Sequence, residues 1–389
     1  MAREPSTKIE LTERDLCRWA LVEDFRQRLS EAASKQTLAD SWSDPQRLLD
    51  YSSYLSLFLL GLLNPVVRTM RGLCAASRLQ RVQQEVCRRP VSLGSFSEAQ
   101  AMLEPALLAQ VFSQLSQEVR PAPEWGDGGR RWLVQDGSLF EALPRMYWCF
   151  WRRQGKPQSQ VRLHLSLDLE SKCPVRVAIT PGKGCERAAW RKQFQRGDAY
   201  LGDCYYGEDY QLFSELAAAE GVFVVRLRDE AVVRVHRELA LTEADRRAKV
   251  IRDAWVKLGG KGYRLDMPVR VVWVQTPKEV LMLVTNLSPA ELSAAEVALL
   301  YKERWQIELF FRWVKCILGC RHWLAESSEG VAIQIYLALI AALLLQLHTG
   351  GAPNKRMMEL IQFYLLGVAS LEELCAGVKR ERARAQKKS

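Results

Sequence analysis

The spacing of apolar residues changes character near residue 130. Before that point it is helical. Tyr54 to Leu63 is almost wholly apolar, and the Asn64-Pro65 pair that follows predicts an N-cap with proline at the first helical position, where a missing N–H costs nothing. A helix is therefore expected from Asn64 to Val86, and Ser95 to Val111 predicts another. The Pro- and Gly-rich stretch Pro121 to Gly129 reads as a linker, with a domain boundary near residue 125. Beyond it, Trp132-Leu133-Val134 leads into Asp136 as a strand would. Val161 to Glu170 alternates strictly, Val161, Leu163, Leu165 and Leu167 on one face and Arg162, His164, Ser166 and Asp168 on the other. Strands are also expected over Val175 to Thr180, Ala199 to Asp203 and Val222 to Leu227, with helices over Cys185 to Phe194 and Tyr210 to Ala219.

Three hairpin-like strands followed by alternating helices and strands give the element order of an α/β, ribonuclease-H-like mixed-sheet core. Residues 228–287 are dominated by short β patterns, including Tyr263 to Leu265, Val269 to Gln275 and Val280 to Thr285, and read as a β-rich insertion. Ser293 with Glu296 three residues later fits a capping box, and the helical pattern continues through Lys315. Val331 to Leu347 is apolar over 17 residues, interrupted by Gln334; that is short for a membrane span and predicts a buried core helix. The expected organisation is a helical region over 1–125, a core over 130–348 interrupted by 228–287, and a C-terminal segment over 349–389 ending in a frayed basic tail from Lys379.

Composition narrows the partners. Lys and Arg number 55 against 45 Asp and Glu, a net charge of +10 that favours polyanions. Arg68, Arg71, Arg78 and Arg81 on the expected Asn64 to Val86 helix would share an arc of about 140°. That arc is either a solvated face or a DNA-facing one. The 10 cysteines are scattered singly, and no secretory pattern opens the chain, so free thiols in a reducing cytoplasm are expected. Cys316, Cys320 and His322 supply only three zinc ligands without finger spacing. Arg145 to Lys156 interleaves aromatic and basic side chains, a pattern that suits either DNA contact or packing of the rings on a core.

The sharpest chemistry lies in Tyr301-Lys-Glu-Arg304-Trp-Gln-Ile-Glu308, continuing to Lys315. On one helix Tyr301, Arg304, Glu308 and Lys315 fall within about 60° of each other. Arg304 and Glu308 alone could be a helix salt bridge. The full spacing, Y-x2-R-x3-E-x6-K, resembles the signature of the IS-four family of DDE transposases, and the resemblance extends over roughly Trp132 to Leu347. Asp136-Gly-Ser, Leu201-Gly-Asp203-Cys-Tyr-Tyr-Gly and Thr285-Asn286-Leu287 carry it further.

The resemblance implies a bacterial cut-and-paste transposase with Asp136, Asp203 and Glu308 as catalytic, metal-holding carboxylates for two Mg²⁺ or Mn²⁺ ions. It implies that Tyr301, Arg304 and Lys315 grip phosphates at the transposon end, that cleavage passes through hairpin ends, and that a homodimer synapses two terminal inverted repeats before joining target DNA. The work would be done on the nucleoid in the cytoplasm, away from any membrane. Arg68, Arg71, Arg78 and Arg81 would add DNA contacts, and Trp305, Trp273 and Trp255 are candidates for an aromatic platform under a flipped base. Asp203 departs from the family pattern in being followed by Cys-Tyr-Tyr-Gly, and Asp198 and Asp168 are its competitors. The alternative functions are a ribonuclease-H-like nuclease or resolvase without strand transfer, and a transposon-derived DNA-binding protein that has lost catalysis.

Overall fold

Alternation of apolar and polar residues beyond residue 130 builds a single mixed sheet. The computed structural model describes residues 20–34, 49–119, 130–260, 263–316 and 323–386, so the expected linker at 121–129 and the Cys320 and His322 positions lie outside the described residues. The strands are β1 (Trp132–Glu141), β2 (Phe150–Arg153), β3 (Lys156–Asp168), β4 (Pro174–Pro181), β5 (Ala199–Gly202), β6 (Val222–Arg226), β7 (Val233–Glu238), β8 (Val250–Gly260), β9 (Tyr263–Arg264), β10 (Val269–Gln275) and β11 (Val280–Thr285). Their order is β2-β3-β1-β5-β6-β11-β10-β8-β7, with β4 also on β3 and β9 on β8. Within it, β4-β3-β1-β5-β6 is the ribonuclease-H-like arrangement. β1, β5 and β6 run parallel, and crossover helices Glu186–Arg191 and Tyr210–Ala218 flank β5 in the chain. The strands of residues 228–287 extend this same sheet antiparallel from β6.

By its internal packing the chain forms two compact units, Met1–Arg120 with Phe140–Val161 and Phe311–Ser389, and Pro121–Leu139 with Arg162–Phe310. The first is organised by the helix Ser328–Thr349, which packs against Ala20–Ser34, Tyr51–Leu63 and Ala106–Val119. Its 22 residues and mean hydropathy of 2.2 are long and apolar enough to cross a membrane, yet 83% of its most apolar window is buried inside the fold, as a core helix requires. Gln334, the interruption in that run, is buried and accepts the Leu324 N–H at 2.9 Å, so its polarity is satisfied.

Three helical expectations are corrected here. Ser95 to Val111 is interrupted at residues 103–105, between helices Leu93–Met102 and Ala106–Val119. Asn64 ends the helix Tyr51–Leu63, and its side chain accepts the N–H groups of Val66 and Val67 at 2.9 and 3.1 Å, closing a turn. Short helices Met70–Ala76 and Gln80–Glu85 follow, separated at Ser77, whose hydroxyl donates to Cys74 O and accepts from Val91 N. Arg68, Arg71, Arg78 and Arg81 are all exposed, on two short helices and their flanks rather than one continuous arc. The basic stretch from Lys379 is likewise helical, within Leu371–Gln386. Cys74, Cys87, Cys149, Cys173, Cys185, Cys204 and Cys375 are free thiols.

In the second unit, apolar faces of β5, β6, β8, β10 and β11 meet the Tyr210–Ala218 helix in one core. Arg270 on β10 is fully buried and forms a two-pronged pair with Asp253 on β8 at 2.8 and 2.7 Å. A third guanidinium nitrogen reaches the Leu292 carbonyl just before the capping box of helix Ala294–Glu303. Asp245 joins the same helix by accepting the Ala295 N–H at 2.8 Å. Arg270→Met should leave a buried, unpaired Asp253 and lower the unfolding free energy by ~3–5 kcal/mol in urea titration. Adding Asp253→Asn should recover part of that loss, whereas independent, additive effects would show that the pair is not what is broken.

Candidate functional site

Parallel pairing sets the geometry of the first two carboxylates. Val134 of β1 lies opposite Leu201 of β5, and two residues on from each are Asp136 and Asp203, so both acids emerge at the same edge of the sheet. Asp203 stands just past the end of β5, where its Oδ1 accepts the Tyr205 N–H at 2.9 Å. Tyr206, next in this turn, is buried against Trp190 with ring centroids 4.4 Å apart. Gly207 is needed because a Cβ there would lie 2.1 Å from the Arg226 carbonyl oxygen. The segment Gly-Asp-Cys-Tyr-Tyr-Gly is thus a tight turn that aims one carboxylate.

Glu308 arrives from the other side. The capping box between Ser293 and Glu296 starts helix Ala294–Glu303, which packs on β6, β8 and β10, and a break at Arg304 precedes helix Trp305–Cys316. The expected single helix is therefore two, joined at a tight step where Arg304 N donates to Tyr301 O at 3.1 Å. Arg304 Nη2 lies 2.6 Å from Glu308 Oε1 and its guanidinium sits 5.9 Å from the centre of the Tyr301 ring. The salt-bridge reading of this spacing is met: the Arg304–Glu308 pair forms, and both of its charges act on Asp136.

The electrostatics show this convergence. Burial, then the Asp203 charge, push the Asp136 carboxyl up to about 7; Glu308 adds to the rise, while the Gly137 N–H at 2.7 Å and Arg304 oppose it. Tyr301 is raised by burial, with Asp203 adding to the rise and Arg304 and Arg226 opposing it, so its phenol stays protonated and can donate. Arg226, at the end of β6, is held by Glu279 at 3.1 and 2.6 Å. Among the described residues no three acids, cysteines or histidines are gathered tightly enough to enclose an ion, and Glu308 is paired with Arg304. The donor set is nonetheless one a hard cation would satisfy, half-buried carboxylate oxygens with more negative charge than their surroundings neutralise.

The rivals to Asp203 are occupied elsewhere. Asp198, at the opposite end of β5, pairs with Arg176 at 2.5 Å and accepts from the Tyr200 hydroxyl at 2.8 Å. Asp168 is buried, pairs with Arg131 at 3.2 Å and caps the turn at Ser171. Asp136, Asp203, Tyr301, Arg304 and Glu308 all lie in the second unit. Lys315 and Arg68, Arg71, Arg78 and Arg81 lie in the first, Lys315 with its ammonium 4.7 Å from the centre of the Phe140 ring.

Among the aromatic candidates, Trp305 is exposed, Trp255 is half-buried, and Trp273 is covered by the Arg252 guanidinium at 4.8 Å. In the aromatic and basic segment, Tyr147 is exposed and Trp148 donates to the Glu326 carbonyl at 2.8 Å. Sequence reasoning missed Arg162, Glu186 and Tyr206, which cluster beside Asp136; the one available signal was Arg162 on the polar face of an alternating strand.

Comparison with known proteins places this geometry. Residues 129–344 match the family described as transposase DDE domain. The chain is 29% identical over 322 residues to y4zB of Sinorhizobium fredii, which bears a transposase name, covering 79% of this chain and 85% of that one. It is 23% identical over 325 residues to a Synechocystis protein named as the transposase of insertion sequence element IS4SA, covering 80% and 86%. Among solved structures it is similar to the piggyBac transposase in a synaptic complex with hairpin DNA, with a TM-score of 0.42, 11% identity, and coverage of 97% of this chain and 82% of that one.

The raised Asp136 carboxyl has a consequence for stability. Its unfolded value is 3.8 and its folded value about 7, so between these the unfolded chain gives up a proton that the folded chain keeps. Without divalent cations, this group's contribution to stability should fall as pH rises from about 4 to 7 and then level off, by on the order of 4 kcal/mol in total. Asp136→Asn should remove this component, raising the metal-free Tm at pH 8 relative to the parent. An Asn variant with the parent's pH dependence would mean that Asp136 is not under this strain.

Proposed function

Since the chain belongs to the transposase DDE domain family and so is an enzyme of DNA cleavage and strand transfer, we propose that Asp136, Asp203 and Glu308 form the centre at which a bacterial mobile element is cut out and joined to target DNA. The observation that carries this reading is the parallel pairing that puts Asp136 and Asp203 side by side on β1 and just past β5, with the Asp136 carboxyl raised to about 7 by burial, by Asp203 and, to a smaller extent, by Glu308. Such crowding costs stability, and a cation-dependent reaction gives it a purpose.

The family implies a divalent metal; the proposal is Mg²⁺, with Mn²⁺ accepted, as two ions held by Asp136, Asp203 and Glu308. When bound, two such ions stabilise charge on both the attacking and the leaving oxygen of a phosphodiester. The protein's own groups do the rest. Glu308 becomes available as Arg304 turns from it toward a DNA phosphate, and the protonated Tyr301 phenol donates to the same backbone. Lys315 adds a further phosphate contact, and the exposed Arg68, Arg71, Arg78 and Arg81 of the first unit contribute recognition of the double-stranded terminal repeats. Second-strand cleavage through hairpin ends, synapsis by a homodimer and action on the nucleoid in the cytoplasm complete the proposed cycle.

The test is a set of variants assayed for end binding and for metal-dependent cleavage and strand transfer. Asp136→Asn, Asp203→Asn and Glu308→Gln should each abolish nicking, hairpin formation and joining together, while end binding by gel shift persists or tightens. Asp198→Asn should keep cleavage. Robust cleavage by Glu308→Gln would sink the assignment, and cleavage without joining by the parent chain would make it a nuclease. Arg304→Ala and Lys315→Ala should each lower the salt slope of end binding by roughly one unit; unchanged slopes in both would return these side chains to purely structural roles.

A further inference from the structure

One cluster beside the carboxylates is not used by this reading. Arg162 on β3 points its guanidinium at Glu186, the first residue of helix Glu186–Arg191: Nη1 pairs with Glu186 Oε1, and Nε donates to the Gly182 carbonyl at 3.1 Å. The other oxygen of Glu186 accepts from the Tyr206 hydroxyl at 3.4 Å. Arg162 and Glu186 are largely buried, with side chains 17% and 13% exposed.

Glu186 also lies directly on the strand that carries Asp136. A Cβ added at Gly137 would come within 2.7 Å of Glu186 Cδ and 3.0 Å of its Cγ and Oε1. The glycine after Asp136 is therefore the space into which the Glu186 side chain fits. On its other side Glu186 holds Tyr206, three residues after Asp203, and Trp190 of the same helix packs edge-on against the Tyr206 ring. One side chain thus touches both the strand that carries Asp136 and the turn that carries Asp203.

Charge gives the contact a second role. Arg162 is close enough to Asp136 and Tyr206 to feel both, and burial opposes its ionisation. Unmasked, its positive charge would face the place where a cation is expected. Paired with Glu186, it is neutralised locally.

We propose that Glu186 is a positioning residue that joins the Asp136 strand to the Asp203 turn through Gly137 and Tyr206 and masks the Arg162 charge from the cation site. This deepens the metal-centre reading and rests on it. The carboxylate of Glu186 does not itself need to touch substrate or ion.

The experiment is Mn²⁺ titration of the full-length, DNA-free protein, read by calorimetry, alongside thermal unfolding in chelator. Glu186→Gln keeps the shape and can keep the Tyr206 contact but exposes the Arg162 charge, so Mn²⁺ affinity should fall by about tenfold, the effect expected on losing a group that orients the ligands without touching the ion. Adding Arg162→Met to Glu186→Gln should restore most of it, which a simple loss of packing would not do. Gly137→Ala should weaken Mn²⁺ binding in the parent but much less beside Glu186→Ala, where the side chain it collides with is gone. A folded Glu186→Gln protein that binds Mn²⁺ as tightly as the parent would overturn the proposal, as would a double variant no better than the single. Asp136→Asn is the control that separates the two readings: if it too binds Mn²⁺ like the parent, the metal centre itself is misplaced and Glu186 is not what failed.

Discussion

Everything at the centre of this protein follows from placing two carboxylates on neighbouring parallel strands. β1 and β5 are hydrogen-bonded in register, so Asp136 and Asp203 emerge at one edge and cannot move apart without breaking the sheet. Glu308 follows a helix, Ala294–Glu303, that packs on that sheet, and its charge acts on Asp136. Like charges beside a half-buried carboxyl raise its proton affinity, and here that carboxyl is Asp136. The compensations are local: the Gly137 N–H on Asp136 and the Arg304 guanidinium on Glu308. They are partial, and the Asp136 carboxyl remains raised to about 7. A site kept short of positive charge in this way is suited to acquiring it from cations.

The residues around the acids are explained by packing before chemistry. Gly137 leaves room for Glu186, and Gly207 lets the Asp203 turn lie against the Arg226 carbonyl. Asn286 accepts the Phe223 N–H at 3.1 Å and donates to the Gly221 carbonyl at 3.0 Å, fastening the start of β6 beside the last core strand. A sequence signature of a DNA-cutting family is, in this chain, largely the set of contacts that hold a strand, a turn and a helix break in place. The strands of residues 228–287 serve the same end: the Arg270–Asp253 pair ties β8 and β10 to the approach of the helix that precedes Glu308.

Much of this was legible in the sequence because the relevant forces are local or periodic. Strict alternation in Val161 to Leu167 gave a strand, although its polar face, His164, Ser166 and Asp168, is buried along with the apolar one; Ser293 and Glu296 gave a helix start, and Val269–Gln275 and Val280–Thr285 were bounded by turn residues at both ends. The signature spacing pointed to Arg304 and Glu308 as neighbours, since a helical turn brings residues four apart together. Local pattern misled at Asn64-Pro65, where the asparagine closes a turn after one helix instead of opening the next. Asparagine caps and asparagine turns use the same side-chain oxygen, and only the path of the following chain decides between them.

What only the tertiary structure decided is the company each charge keeps. In the sequence only its place at a strand end favoured Asp203 over Asp198 and Asp168; in the fold Asp198 is paired with Arg176, Asp168 is paired with Arg131, and the Asp203 charge acts on Asp136. Glu186 carries no signal at all, because its importance comes from Gly137, Arg162 and Tyr206, which approach it from three separate stretches of chain. Periodicity determines which faces are buried and short spacings determine helix neighbours, so the chain by itself specified its strands, its capping box and the Arg304–Glu308 pair. Strand order and the crossing of helices over the sheet bring distant side chains together, and those long-range contacts alone set which carboxylates are neutralised and which remain in want of a cation.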